Sequence, residues 1–196
     1  MTIAPSKKQL THERIVQTAA QAIRRGGFSG LGVADVMKRA GLTHGGFYAH
    51  FASREALICE ALEQAGRDSA ERLAKHADAR VAKGVSPFRA FVENYLSDAH
   101  CAALDAGCPV AALAADMPRQ SADVSRAGAE RVRSLIAAVQ RRLPAKAERD
   151  AAPVIAAQLV GALQLARALG DGAEAKALLA ATRRQVLATY DQPGKR

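Results

Sequence analysis

The apolar residues of this chain recur at helical spacing, and the sharpest case is the stretch from Val33 to Phe51. Val33, Val36, Met37 and Ala40 fall at i, i+3, i+4 and i+7, one face of a short helix. Gly41 stops that helix, because glycine takes a positive φ without steric cost, and Leu42 plugs the turn. Thr43 offers an N-cap hydroxyl for a restart, and Phe47 and Phe51, four apart, supply the next buried stripe. Helix, short turn and helix make a helix-turn-helix arrangement. Upstream, Thr11 reads as the cap of a first helix with Ile15, Ala19, Ala22 and Ile23 inward, closed by Gly26-Gly27, and Phe28 plugs the three-helix core. Residues 1–10 read as a loose basic lead carrying Lys7 and Lys8.

Beyond Phe51 the helices lengthen. Ser53 caps a fourth helix, with Leu57, Ile58, Ala61 and Leu62 inward, that dilutes into charged residues up to Lys83-Gly84. The sequence boundary between a first unit, 1–57, and a second, 58–196, therefore falls inside one helix and not in a linker. Ser86-Pro87 opens a helix whose stripe is Phe88, Phe91, Val92, Tyr95, Leu96 and Ala99. A short helix is expected from Pro109 to about Ala115, and a long one from Ser121 to Leu143 with Arg131, Arg133, Arg141 and Arg142 as its solvated flank. Residues 147–169 and 173–190 form an apolar terminal hairpin around the turn Gly170-Asp171-Gly172. Two such hairpins make a four-helix bundle, so Leu159, Leu163, Leu179 and Val186 are the expected dimer surface. The tail QPGKR reads as disordered.

Composition strengthens the helical reading. Nearly half of the 196 residues are apolar, aromatics are 4% and Trp is absent, so helix-favouring Ala and Leu dominate. The expected fold is all-α with about nine helices. The net charge is +9, and residues 1–57 carry eight Lys/Arg against three Asp/Glu, which suits a polyanion partner for the first unit. Three cysteines, Cys59, Cys101 and Cys108, give neither a disulfide framework nor a zinc pattern. No signal-peptide core and no window of membrane-span length stands out, so a reduced, cytoplasmic, non-membrane protein is expected.

Catalytic readings fail on context. His44-Gly45-Gly46 resembles an oxyanion loop, but there is no nucleophile elbow, and Gly30-Leu31-Gly32 runs into Asp35 where a dinucleotide fingerprint needs glycine. The five histidines show no metal-ligand spacing. No metal, cofactor or enzymatic activity is expected. In a helix-turn-helix the start of the second helix meets base edges, which nominates Thr43, His44, Gly45 and Gly46. Tyr48, His50 and the lysines Lys7 and Lys8 are the expected phosphate contacts.

The run AGLTHGGFYAHFASREAL, Ala40 to Leu57, resembles the DNA-binding signature of the TetR family of bacterial transcriptional regulators. The matching parts are Gly41-Leu42-Thr43, Tyr48-Ala49-His50-Phe51 and Ser53-Arg54-Glu55-Ala56-Leu57; Gly32 departs from the usual Thr or Ser cap of the second helix. The resemblance implies a three-helix DNA-binding domain followed by a helical effector-binding and dimerisation domain. It also implies a homodimer on a palindromic double-stranded operator, a repressor role and release by a small-molecule effector. It makes Arg54 a phosphate contact and sets the pocket among helices 5–8, for which the candidates are Phe88, Phe91, Val92, Tyr95, Cys108, Leu113, Met117 and Leu135. Two alternatives stay open: thiol sensing through Cys108, and a helical interaction protein without specific DNA binding.

Overall fold

Ser6 opens the first helix, ahead of the expected Thr11. In the computed structural model, which describes residues 4–144, 148 and 150–191, helix α1 spans Lys7–Gly26 and the Ser6 hydroxyl accepts the Gln9 N–H at 3.2 Å. Thr11 lies inside that helix and donates to the Lys7 carbonyl at 2.8 Å, so Lys7 and Lys8 occupy a first turn and not a loose lead. The tail expectation for 192–196 lies outside the described residues.

Helix α2, Val33–Arg39, starts at Gly32 with no side-chain cap and ends as the spacing requires. The Leu42 N–H reaches the Met37 carbonyl at 2.9 Å and the Gly41 N–H reaches Lys38 at 3.0 Å, with Gly41 at φ 72. That pair of bonds around a left-handed glycine is a Schellman closure, and it fixes the angle at which the chain leaves α2. The next segment, His44–Ala49, is a 3-10 helix and not the expected α-helix. Gly45 and Gly46 have poor helix propensity, and six residues suit the tighter coil. Thr43 makes no capping bond there.

Ser53 caps α3, Arg54–Val81, by accepting the Ala56 N–H at 3.1 Å. Ser86 caps α4, Pro87–Tyr95, in the same way. The stripe expected to run on to Ala99 breaks after Tyr95, because Ser97 accepts the His100 N–H at 3.1 Å and starts α5, Asp98–Ala102. Then come α6, Pro109–Leu113, a 3-10 turn at Met117–Arg119, α7, Ala122–Gln140, α8, Ala151–Leu169, and α9, Ala173–Tyr190. No strand occurs among the described residues.

Two apolar cores form, and three helices, α3, α6 and α7, contribute to both. The first packs α1, α2, Phe47 and Phe51 against Leu57, Ile58, Ala61, Leu62 and Ala65 of α3. The second joins Leu73, lower on α3, to α4 and α6–α9. On α6, Val110 and Ala111 face the second core while Leu113 faces the first. Arg24, 6% exposed, ties the units further by donating to the Ala65 carbonyl at 3.1 Å and to Asp68 at 3.2 Å. Displacing either unit therefore strains continuous helices, a rigid form of coupling.

The terminal hairpin turns the opposite face outward from the one expected. Leu159, Leu163, Leu179 and Val186 are all buried in the chain's own second core, so they cannot present a surface to a second copy. Val154, Ala157, Gly161, Leu165 and Ala168 lie along the other side of α8, exposed or half-buried, and a Cβ added at Gly161 would meet only open space. Both sides of α8 are apolar, so periodicity could not tell them apart. For the same reason α8, unlike the sequence expectation of no such window, is long and apolar enough by length and composition to cross a membrane. One side of it is nonetheless packed within the second core.

Candidate nucleic-acid interface and ligand cavity

The surface around the 3-10 segment is small, polar and anchored from beneath. Phe47 and Phe51 are 2% and 3% exposed and stack at 5.5 Å, so they hold the segment on the first core. Thr43, His44, Gly45, Tyr48 and Ala49 consequently face solvent, and Gly46 is half-buried. Tyr48 is 73% exposed, with its ring edge-on to Phe47 at 5.3 Å, so its hydroxyl points away from the core that orients it. Lys7 and Lys8 are exposed on the first turn of α1, and Lys8 is close enough to His50 to disfavour its protonation.

His50 and Arg54 play different parts from those expected. The His50 ring is half-buried, and burial, then His12 and Lys8, lower its pKa, so at neutral pH it brings a neutral ring and no charge to a phosphate. His12 stacks on Phe51 at 4.5 Å and meets Glu60 at 2.6 Å, locking α1 to α3 beneath the interface. Sequence reasoning gave His12 no role, because its partner is 48 positions away. Arg54 donates from Nε to the Leu31 carbonyl at 3.2 Å and from Nη2 to the Phe28 carbonyl. The guanidinium clasps the loop between α1 and α2 and acts first as a brace.

Arg54→Lys separates the two roles, since lysine keeps the charge and loses the fork. As a brace, Arg54 gives the lysine variant a loss of about 1–2 kcal/mol in unfolding free energy by urea titration. A mere phosphate contact would leave stability unchanged. Tyr48→Phe is expected to weaken binding to all duplexes alike, by a few-fold, because a phosphate contact carries no base information. Anisotropy titrations with two unrelated duplexes check this, and a change confined to one sequence would contradict it.

Below the first core, α3, α4, α6 and α7 enclose a cavity of about 120 Å3. Phe91, Cys108 and Leu135 line it as expected, and Gly66, Ser69, Ala70 and Leu73 form the α3 wall. Phe88, Val92 and Tyr95 are instead buried in the second core away from that lining, and Leu113 and Met117 belong to the first core. Their helical spacing marked burial but not which void, if any, they would border. The larger surprise is charge: Arg131 and Arg142, expected on a solvated flank, are half-buried in the cavity lining, and Arg141, exposed as expected, stands at its edge. The Arg142 guanidinium lies 4.9 Å from the Phe91 ring centre, and burial, then Arg141, lower its pKa.

Next to the cavity lies a buried polar lock that the sequence did not disclose. His100 meets the Tyr95 carbonyl through Nδ1 at 2.6 Å, and its Nε2 accepts the Cys108 N–H at 3.0 Å. Since Nε2 accepts, the proton sits on Nδ1 and the ring is neutral. Arg167 from α8 closes the lock by donating to the carbonyls of His100 and Cys101 at 3.1 Å each. Among the described residues no cluster of His, Cys, Asp and Glu is built to hold a metal ion.

The chain thus sets a helix-turn-helix on a three-helix core and joins it through a long helix to a second helical unit with a cavity. Residues 15–61 match the family model of bacterial regulatory proteins of the tetR family. The chain is 28% identical over 170 residues to an uncharacterized HTH-type transcriptional regulator of Mycobacterium tuberculosis, covering 81% of this chain and 85% of that one. Its fold is similar to the reduced form of NemR from E. coli, with a TM-score of 0.75, 23% identity and coverage of 94% and 98% of the two chains. A TetR-family regulator from Agrobacterium tumefaciens gives 0.71, 24%, 94% and 99%. The multidrug binding protein EbrR complexed with imidazole gives 0.66, 18%, 98% and 99%.

Proposed function

We propose that the chain is a homodimeric repressor that binds a palindromic operator in the cytoplasm, without enzymatic activity, and leaves that operator when a small effector enters the α3–α4–α6–α7 cavity. One observation carries this reading: α3 is a single helix whose first turns hold the DNA-reading segment and whose middle forms a cavity wall. The domain that reads DNA spans 1–57 in this proposal, and 58–196 binds effector and dimerises. Thr43, His44 and the backbone of Gly45 and Gly46 face base edges, and Tyr48, Lys7 and Lys8 hold phosphates. That EbrR was crystallised with a bound small molecule supports a ligand role for this fold.

The dimer forms through the outward stripe of α8, where Val154, Gly161 and Leu165 give two backbones close approach. Symmetry then sets the two reading segments roughly 34–36 Å apart, one DNA turn. Effector lowers affinity only by preferring the arrangement in which that spacing is lost. The test is sedimentation of the protein with a duplex that it selects. Two protomers on each inverted repeat, dissociating from DNA when a cavity ligand is added, are expected; one protomer per duplex would overturn the dimer.

A second reading has one observation in its favour: Cys108 is both a cavity-lining residue and a neighbour of the Tyr95 phenol. In that version a thiol reaction replaces reversible binding. Cys108→Ser, a near-isosteric change at a buried position, is expected to leave effector release within about twofold of wild type if binding is reversible. Complete loss of response, measured by DNA release, would show the thiol version instead.

A further inference from the structure

The chemistry of the cavity narrows what can fill it. Arg131, Arg141 and Arg142 line it, and no carboxylate does. Among the described residues none of the three makes an ion pair; Asp78 acts on Arg142 only as a distant charge, ranked after burial and Arg141. Arg142 spends one N–H on the Ala138 carbonyl at 2.8 Å and stacks over Phe91. The Arg131 Nε is buried with no hydrogen-bond partner. A buried donor left unsatisfied is uncommon in a native interior and is costly unless an acceptor arrives.

Most of the remaining lining is apolar, with Leu73, Phe91, Val110, Leu135 and Ala138, and Ser69 and Ser134 add two hydroxyls. Its volume, about 120 Å3, compares with the roughly 150 Å3 of an engineered apolar cavity that takes up benzene. The backbone of α3 also makes room for the arginine. A Cβ on Gly66 would lie 2.8 Å from Arg131 Nη1 and 3.0 Å from its Cδ, so any side chain there makes Arg131 shift from its place across this wall. A cation is repelled by three guanidinium groups, and a neutral body leaves their donors unused.

Resting on the effector reading above, we propose that the cavity takes a small carboxylate with a single-ring apolar body, its carboxylate held by Arg131 and Arg142 and its ring against Phe91 and Leu135. The carboxylate end then bears on α7 and the ring on α3, the helix that carries the reading segment.

The test uses the full chain and two probes of equal shape, benzoate and benzamide, followed by calorimetry and by DNA release. Benzoate is expected to bind roughly tenfold or more tightly than benzamide, the contrast of a charge-assisted pair against a neutral one. Arg131→Gln is expected to remove that preference, and Arg131→Lys to restore part of it. Gly66→Ala keeps every charge, favours helix and displaces Arg131, and is expected to weaken benzoate alone. Equal binding of the two probes, no binding of either at millimolar concentration, or indifference to Arg131→Gln in a folded variant overturns the proposal. Benzoate binding with the predicted preference but without DNA release leaves the carboxylate site standing and contradicts the effector reading.

Discussion

Phe47→Ala is expected to lower unfolding free energy by about 3–5 kcal/mol, the usual cost of emptying a buried phenylalanine site, and to abolish DNA binding. Phe47 is 2% exposed, stacks with Phe51 and carries the Tyr48 ring on its edge. The two glycines before it give the 3-10 segment little helical strength of its own, so packing through Phe47 and Phe51 holds the segment in place. Tyr48→Ala, at an exposed position, is the control, and its stability should stay within about 0.5 kcal/mol of wild type. Denaturant titration followed by circular dichroism reads both. A Phe47→Ala loss below about 1 kcal/mol would mean that the segment is not anchored by that ring.

Acid is expected to weaken the second unit through His100. Burial pushes the His100 pKa down to about 4, against an ordinary 6.5. Above pH 6.5 the imidazole is neutral in both folded and unfolded chains. As pH falls below that value the unfolded chain takes up the proton first, and stability is lost until the folded chain also protonates near pH 4. The shift corresponds to about 3 kcal/mol across that window. Protonation also removes the acceptor for the Cys108 N–H, which unlocks α6 from α5 beside the cavity. His100→Gln should flatten the slope of stability between pH 6.5 and 4, as measured by urea unfolding at several pH values. An unchanged slope would assign the acid sensitivity to other groups.

What the sequence disclosed was whatever depends on near neighbours. The α2 stripe, the positive φ of Gly41, the Ser53 and Ser86 caps and the burial of Phe47 and Phe51 are all set within a few positions. The first turn of α1 escaped because Ser6 and Thr11 are equally good caps by type, and only the realised bond distinguishes them. Partners far apart in the chain were invisible: His12 with Glu60, Arg24 with Asp68, and His100 with Arg167. Arg133 and Arg141 are exposed as the flank reading expected, but Arg131 and Arg142 were misread, because long charged side chains have the same pattern on a wet face and over a cavity. Their distinguishing signal was Gly66 on the facing helix, and without a fold nothing in the sequence paired it with Arg131. The outward face of α8 was hidden for the opposite reason, since both of its sides are apolar.

Specific DNA recognition through the segment His44–Ala49 is what the proposed repressor requires. The measurement that tests it most directly is selection of bound duplexes from a random pool, with the enriched and scrambled sequences then compared across a salt series. Recovery of an inverted repeat with half-sites about one turn apart, bound far more tightly than scrambled DNA and with affinity falling steeply as salt rises, is the predicted result. Binding that stays weak and equal for every sequence would contradict it and leave the fold as a helical scaffold for a protein partner.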